Sequence, residues 1–316
     1  MKVYKFVIKP KTAFGTPLVG DTLFGQLCWE FYYDPELLGN RLEDLIRDYK
    51  FRPFIIVSSA FPLISGKTYL KRPSLPLHFL FNLPEEELIR ERKALRRKRW
   101  FLLETPLPPL SKITYVENVS NGRFLVEDEQ VRCSIHRLYG TTVEAPYGPF
   151  VVEKLWYLTD LIVFIGLRED MRVNGIFEAL VRIGKTGYGK DSSCGLGKFE
   201  VISYEEIDFY HEIKEFNAYY TLSPSLPDDK DYKAIYYEPV VRFGRHGNVR
   251  SYSKNPFKAP VLMADSGAIY VPAKAERRIY IGRAIYGTSA IDQDTVMQGY
   301  SLVIPVEVAH ESKTSA

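Results

Sequence analysis

The stretch Val173-Asn174-Gly175-Ile176-Phe177-Glu178-Ala179-Leu180-Val181-Arg182-Ile183-Gly184 runs into Lys185-Thr186-Gly187-Tyr188-Gly189-Lys190-Asp191-Ser192-Ser193-Cys194-Gly195-Leu196-Gly197 and then Lys198-Phe199-Glu200-Val201-Ile202-Ser203. Val173, Ile176, Phe177, Leu180 and Ile183 recur at three- and four-residue spacing. That spacing predicts an amphipathic helix with Asn174 as N-cap and Gly184 just past its end. A loop over 184–197, with five glycines in fourteen residues, then feeds a strand over 198–203. Its glycines permit positive φ and close backbone approach, and Lys185, Lys190, Ser192 and Ser193 supply donors for phosphates.

Working outward, Val3-Tyr4-Lys5-Phe6-Val7-Ile8 reads as a strand, and Asp21 can cap a helix with Leu23, Phe24, Leu27, Cys28 and Phe31 on one face. Gly25 inside that helix costs about 1 kcal/mol relative to alanine, so close packing is expected there. Strands follow at 54–57 and 161–167. Residues 68–150, with many prolines, a basic helix near 85–100 ending in a buried Trp100, and polar turns such as Ser120-Asn121-Gly122, read as a long insertion. Without it, residues 1–205 run β-α-β-β-α-β, the ferredoxin-like order. Residues 206–316 look mostly β, with strands near 217–222, 239–243, 268–271 and 299–306, which predicts a domain boundary near Glu205.

The 316 residues are 46% hydrophobic and 26% charged, enough for a large core and unlike a disordered chain. The longest apolar run, 161–167, is too short to span a bilayer, and no signal-peptide pattern opens the chain. Cys28, Cys133 and Cys194 lie far apart without a CxxC, which argues against a disulfide framework or zinc and for a reducing cytoplasm. The net charge of +3 is small, but the cations cluster. Residues 90–99 hold seven basic side chains against Glu91, and 242–258 hold five and no acid. In the second stretch Phe243, Tyr252 and Phe257 interleave with the cations, a composition that stacks bases and holds phosphates, although a surface hairpin has the same look.

Catalytic motifs are missing. The loop is neither a Walker A motif, since Ala179 stands where the first glycine belongs, nor a dinucleotide fingerprint, since it leaves a helix instead of entering one. His211-Glu212 lacks a second histidine four residues on, and His78 and His310 have no nearby partner. Asp292 and Asp294 form a DxD pair of the kind that is usually solvated. His136 and His246 have basic neighbours, which suits RNA contact and also general-base cleavage of RNA.

Gly20-Asp21-Thr22-Leu23-Phe24-Gly25-Gln26-Leu27-Cys28-Trp29 resembles the first-helix motif of the RAMP superfamily of CRISPR effector subunits. Tyr69-Leu70-Lys71-Arg72-Pro73 is similar to that family's short lysine–proline segment. Residues 131–137 followed by 150–157 resemble its thumb-like insertion, and 187–200 its glycine-rich signature. The end, Gln298-Gly299-Tyr300-Ser301-Leu302-Val303-Ile304-Pro305-Val306, resembles its C-terminal strand. The combination is most like the type III-A (Csm) subunit that caps the crRNA 5′ end. The resemblance implies an α+β chain of two ferredoxin-like (RRM-type) domains, with a long thumb-like insertion in the first. It also implies a non-catalytic scaffold that grips the crRNA 5′ tag and joins the large cyclase subunit to the adjacent backbone subunit. Target RNA near the tag is a further expected contact, and no metal or cofactor is expected. His136 departs from the pattern, standing where a small acidic or amide residue is expected before an arginine.

The expected RNA-binding set is Lys9, Lys11, Thr12, Lys71, Arg72, Arg132, His136, Arg137, Lys185, Gly187, Tyr188, Gly189, Lys190, Ser192, Ser193 and Gly195, joined by Arg242, Arg245, His246 and Arg250. Two alternatives remain at this stage: a metal-independent RAMP endoribonuclease that processes repeat RNA, and a protein–protein scaffold with incidental RNA contact.

Overall fold

The apolar alternation of 3–8 becomes β1 (Lys2–Pro10), with Val3, Phe6 and Ile8 turned into the core. The computed structural model describes residues 1–119, 124–142, 148–213, 215–227 and 231–309. The turn expected at Ser120-Asn121-Gly122 and His310 lie outside them. After β1 come α1 (Gly20–Tyr33), α2 (Leu42–Asp48), β2 (Ile55–Ile64) and β3 (Lys67–Lys71). Short helices α3 (Leu77–Leu80), α4 (Glu85–Arg90) and α5 (Arg92–Arg97) lead to β4 (Trp100–Leu102) and β5 (Tyr115–Val116). A hairpin of β6 (Leu125–Arg132) and β7 (Phe150–Tyr157) precedes β8 (Asp160–Leu167), α6 (Val173–Thr186) and β9 (Phe199–Ile207).

These strands form an antiparallel sheet in the order β5-β4-β3-β2-β8-β1-β9, with β6–β7 a separate ribbon. Omitting β3, β4 and β5, the order is 2-3-1-4 of a β-α-β-β-α-β unit, the ferredoxin-like arrangement. Helices α1 and α6 pack on each other, with α1 against β2 and α6 against β9. The insertion fills the whole interval between β2 and β8, wider than the expected 68–150, and contributes three strands to the main sheet. Its ribbon is tied to the body where Phe14 and Leu155 exchange backbone hydrogen bonds of 2.8 Å each.

Several helix ends differ from expectation. In α6 the cap position is Arg172, and Asn174 instead accepts a 2.7 Å hydrogen bond from the Tyr204 hydroxyl. The helix continues through Gly184 to Thr186 because Gly184 seats Phe199, whose carbonyl oxygen would stand 2.2 Å from an added Cβ. Asp21 does not cap α1; Val19 holds that position, and Asp21 lies within the first turn, bound to Arg242. Gly25, expected to be tightly packed, has nothing within 4 Å of where a Cβ would stand. The basic stretch breaks into α4 and α5 around Glu91, and Trp100 is half-buried while Phe101 fills the core.

The second half contains β10 (Ala218–Thr221), β11 (Tyr232–Tyr236), β12 (Pro239–Arg242), β13 (Val261–Ala264), β14 (Ile269–Pro272), β15 (Tyr280–Gly282) and β16 (Tyr300–Val306). Its sheet runs β11-β14-β10-β16-β15, so with β15 set aside the 2-3-1-4 order recurs. No α-helix accompanies it among the described residues. The connection from β10 to β11 is short and holds Pro224 and Pro227, which a helix interior excludes. A two-stranded flap, β12–β13, stands outside this sheet.

One core joins the two sheets, with Tyr300, Leu302 and Ile304 of β16 in the same apolar cluster as Ile56 and Phe164. The junction falls where β2 shifts register between Val57 and Ala60. Backbone groups freed there are satisfied across the junction. The fully buried Gln298 amide donates to the Val57 carbonyl and accepts from its N–H, both at 2.8 Å, and Ser59 N–H donates to Leu222 O at 2.9 Å.

Candidate nucleic-acid interface

The glycine-rich loop is shaped by its own backbone. Gly187 (φ 105°) ends α6, and Gly197 (φ 74°) lies so close to Tyr188 that an added Cβ would sit 2.2 Å from its carbonyl oxygen. Tyr188 is fully buried; its hydroxyl donates to Pro17 O at 3.0 Å and accepts from Val19 N–H at 3.2 Å. From α1, Gln26 donates to Gly187 O at 2.9 Å and accepts from Gly189 N–H at 3.3 Å, while Thr16 Oγ1 accepts from Lys190 N–H at 3.0 Å. Most loop amides are therefore engaged internally, contrary to the expectation that they face a ligand. Those of Asp191, Ser192 and Ser193, at a short 3₁₀ turn that follows the left-handed Asp191, have no acceptor among the described residues. Tyr188 and Gly187 thus shape the loop and are not contacts in their own right.

Around this turn the structure gathers several expected residues. Thr12 Oγ1 accepts from Lys198 N–H at 3.0 Å, and Lys11 pairs with Glu200 at 2.7 Å. At the end of β6, Arg132 lies 3.9 Å from the Asp191 carboxylate, which brings the thumb ribbon to the loop. Lys9, opposite Glu200 in the β1–β9 register, and Arg137, Lys185 and Lys190 are exposed and form no ion pair with a described residue. Ser193 is exposed, and Ser192 and Gly195 are partly so. His136 closes a turn, donating its N–H to Thr141 O at 3.1 Å, with its ring against Tyr139.

Other expected contacts are taken up inside the fold. Lys71 bonds Asp265 at 2.6 Å, joining the insertion to the second half, and Arg72 donates to Leu95 O and Lys98 O, closing the end of α5. Arg242 makes a two-pronged ion pair with Asp21 at 2.8 and 2.9 Å and also reaches Thr22. His246 is buried against Ser289 at 2.8 Å, and burial, then Lys258 and Arg250, pushes its pKa down. Arg250 pairs with Asp292 and lies over the Trp29 ring. Arg245, exposed, sits 5.7 Å from the Phe257 ring, which stacks with Phe243. So Lys71, Arg72, Arg242 and His246 are structural, and the surface is made by the loop, the thumb base and the exposed part of the flap. Asp292 and Asp294 belong to this framework too, and no group of metal-ligating side chains occurs among the described residues.

The flap crosses α1, and here the structure shows residues that the charge pattern did not single out. Gly247 rests on the Trp29 indole, whose nitrogen would lie 3.2 Å from an added Cβ. Trp29 packs in turn with Tyr32 and Tyr33, both more than half exposed. Lys258 follows Phe257 in the flap, and burial lowers its pKa. The 29, 32, 33 spacing on a helix was the available signal for this aromatic cluster.

No protein-family model and no curated protein sequence matches the chain. Among solved structures, it is similar over its whole length to a chain of the Csm1-Csm4 cassette in complex with pppApA (TM-score 0.60, 18% identity, 99% of this chain and 100% of that one). The cassette in complex with cA4 gives a TM-score of 0.62 at 17% identity, covering 98% and 100%. A chain of the Csm3-Csm4 subcomplex of the type III-A CRISPR-Cas interference complex gives 0.59 at 14%, covering 97% and 100%. These similarities establish a common fold, with the RAMP-type arrangement read from the sequence. No helix of the described residues is long and apolar enough to cross a membrane.

Proposed function

We propose that the chain is a non-catalytic subunit of a type III-A CRISPR interference complex. It holds the 5′ tag of the crRNA at the corner formed by the glycine-rich loop, the segment 9–12 and the base of the thumb. It bridges the large cyclase subunit to the adjacent backbone subunit in the cytoplasm, with target RNA passing near the tag. The observation that carries this reading is the end-to-end similarity to chains from two assemblies whose shared component is Csm4. The chemistry of the corner agrees: unpaired Lys9, Lys185 and Lys190 and three unbonded amides suit phosphates, and Arg245 with Phe243 and Phe257 suits bases.

Catalysis finds little support in the site. His246 is buried on Ser289 and held neutral, and general acid–base cleavage needs a positioned base together with a donor for the leaving oxygen. Incubating the purified chain with repeat RNA in EDTA tests this. The expected outcome is stable RNA bound to the protein. Cleavage leaving a 2′,3′-cyclic phosphate would support the processing-enzyme reading instead.

A further inference from the structure

Gly25 lies in the middle of α1, where glycine is the least favourable residue short of proline. Its two usual justifications are absent: nothing in the protein approaches within 4 Å of a Cβ built there, and its φ is not positive. The gap has walls. On one side the neighbouring Gln26 is bonded through both ends of its amide to Gly187 and Gly189, which fixes the glycine-rich loop. On the other, the flap is bolted to α1 at Asp21 and Thr22 by Arg242, and at Trp29 by Gly247 and Arg250. With about 100° of turn per residue, Asp21 and Cys28 fall on the opposite flank of Gly25 from Gln26, so the gap lies between loop and flap.

Lys258 belongs to the flap wall, its charge felt at both Asp21 and Cys28, about one turn to either side of Gly25. It makes no ion pair with a described residue. Asp21 is committed to Arg242, and burial pushes the Cys28 thiol up to about 12, so no thiolate neutralises the ammonium. A largely desolvated cation without a counter-ion, beside a gap that the protein leaves unfilled, calls for an anion from outside.

We propose that the gap over Gly25, between the glycine-rich loop and the flap, is a subsite for the backbone of single-stranded RNA, with one phosphodiester on the Lys258 ammonium. Glycine at 25 then makes room for the ligand and not for the protein. The proposal rests on reading the chain as an RNA-binding subunit, and it adds a second contact beyond the loop–thumb corner.

The test is fluorescence anisotropy of the full chain with a labelled short single-stranded RNA, alongside thermal unfolding. The set comprises wild type, Gly25→Leu, Lys258→Met and the Lys185→Ala/Lys190→Ala pair. Gly25→Leu should keep or raise the melting temperature and weaken binding about tenfold or more, since leucine favours the helix and fills the gap. Lys258→Met should also keep the melting temperature, weaken binding several-fold and reduce the slope of log K on log salt by about 0.7, one single-strand phosphate contact. If Gly25→Leu lowers the melting temperature, Lys258→Met decides alone. Wild-type affinity and slope in the folded variants, with binding still weakened by the loop pair, overturns the subsite and leaves the RNA reading standing. No RNA binding by the wild type overturns both.

Discussion

Arg242 and Asp21 stand 221 positions apart, yet they form the two-pronged contact that a planar guanidinium makes with a carboxylate. Asp21 is buried, so removing Arg242 would strand a carboxylate away from water. Arg242→Met should destabilise the chain by about 3–5 kcal/mol, read from urea unfolding, and the double variant with Asp21→Asn should recover much of that loss. His246 gives a pH-dependent counterpart. Burial favours its neutral ring, so the folded pKa lies below the unfolded value of about 6.5. Its contribution is complete above that value and is lost as pH falls through the window beneath it, because the unfolded chain then binds the extra proton. Stability measured from pH 8 down to pH 5 should therefore fall on the acid side, less steeply in His246→Gln than in wild type. Both residues were read from sequence as RNA contacts. A cation count registers charge but not the partner that neutralises it, and here the partners lie on α1 and in the loop after β15.

At the scale of elements, β1, α1, β8, α6 and β9 were legible because their apolar periods are long and regular. The thumb ribbon, β11, β13 and β15 were not, since short strands at a surface carry little alternation. The glycine-rich loop was found but its use was misjudged. Its glycines were read as room for phosphates, whereas Gly187 and Gly197 serve the close packing of the loop on Tyr188 and Leu196. Gly195 differs, with φ 87° and open space where a Cβ would stand. Gly195→Ala should cost only the left-handed backbone strain, roughly 1–2 kcal/mol. Gly197→Ala adds a collision with Tyr188 backbone and should unfold the loop. Amide hydrogen exchange checks this: protection at Gly187 to Leu196 should survive the first substitution and disappear in the second.

For the whole molecule, two sheets of the same strand order share one core, and the second has traded helices for a flap that leans on α1 of the first. The repeated order was hidden in the sequence because the second unit lacks the helical period that marks the first. Its consequence is that loop, thumb base, α1 and flap face one continuous surface whose parts come from both halves. The central claim is that this surface holds the 5′ end of a crRNA. The most direct measurement is ultraviolet crosslinking of the assembled complex, purified with its own RNA, followed by peptide and RNA sequencing. The account predicts crosslinks from residues 9–12, 132–137, 185–195 and the flap 243–258 to the 5′-tag nucleotides of intact crRNA. Tag crosslinks confined to other surfaces, or recovery of the chain with no RNA attached, would contradict it.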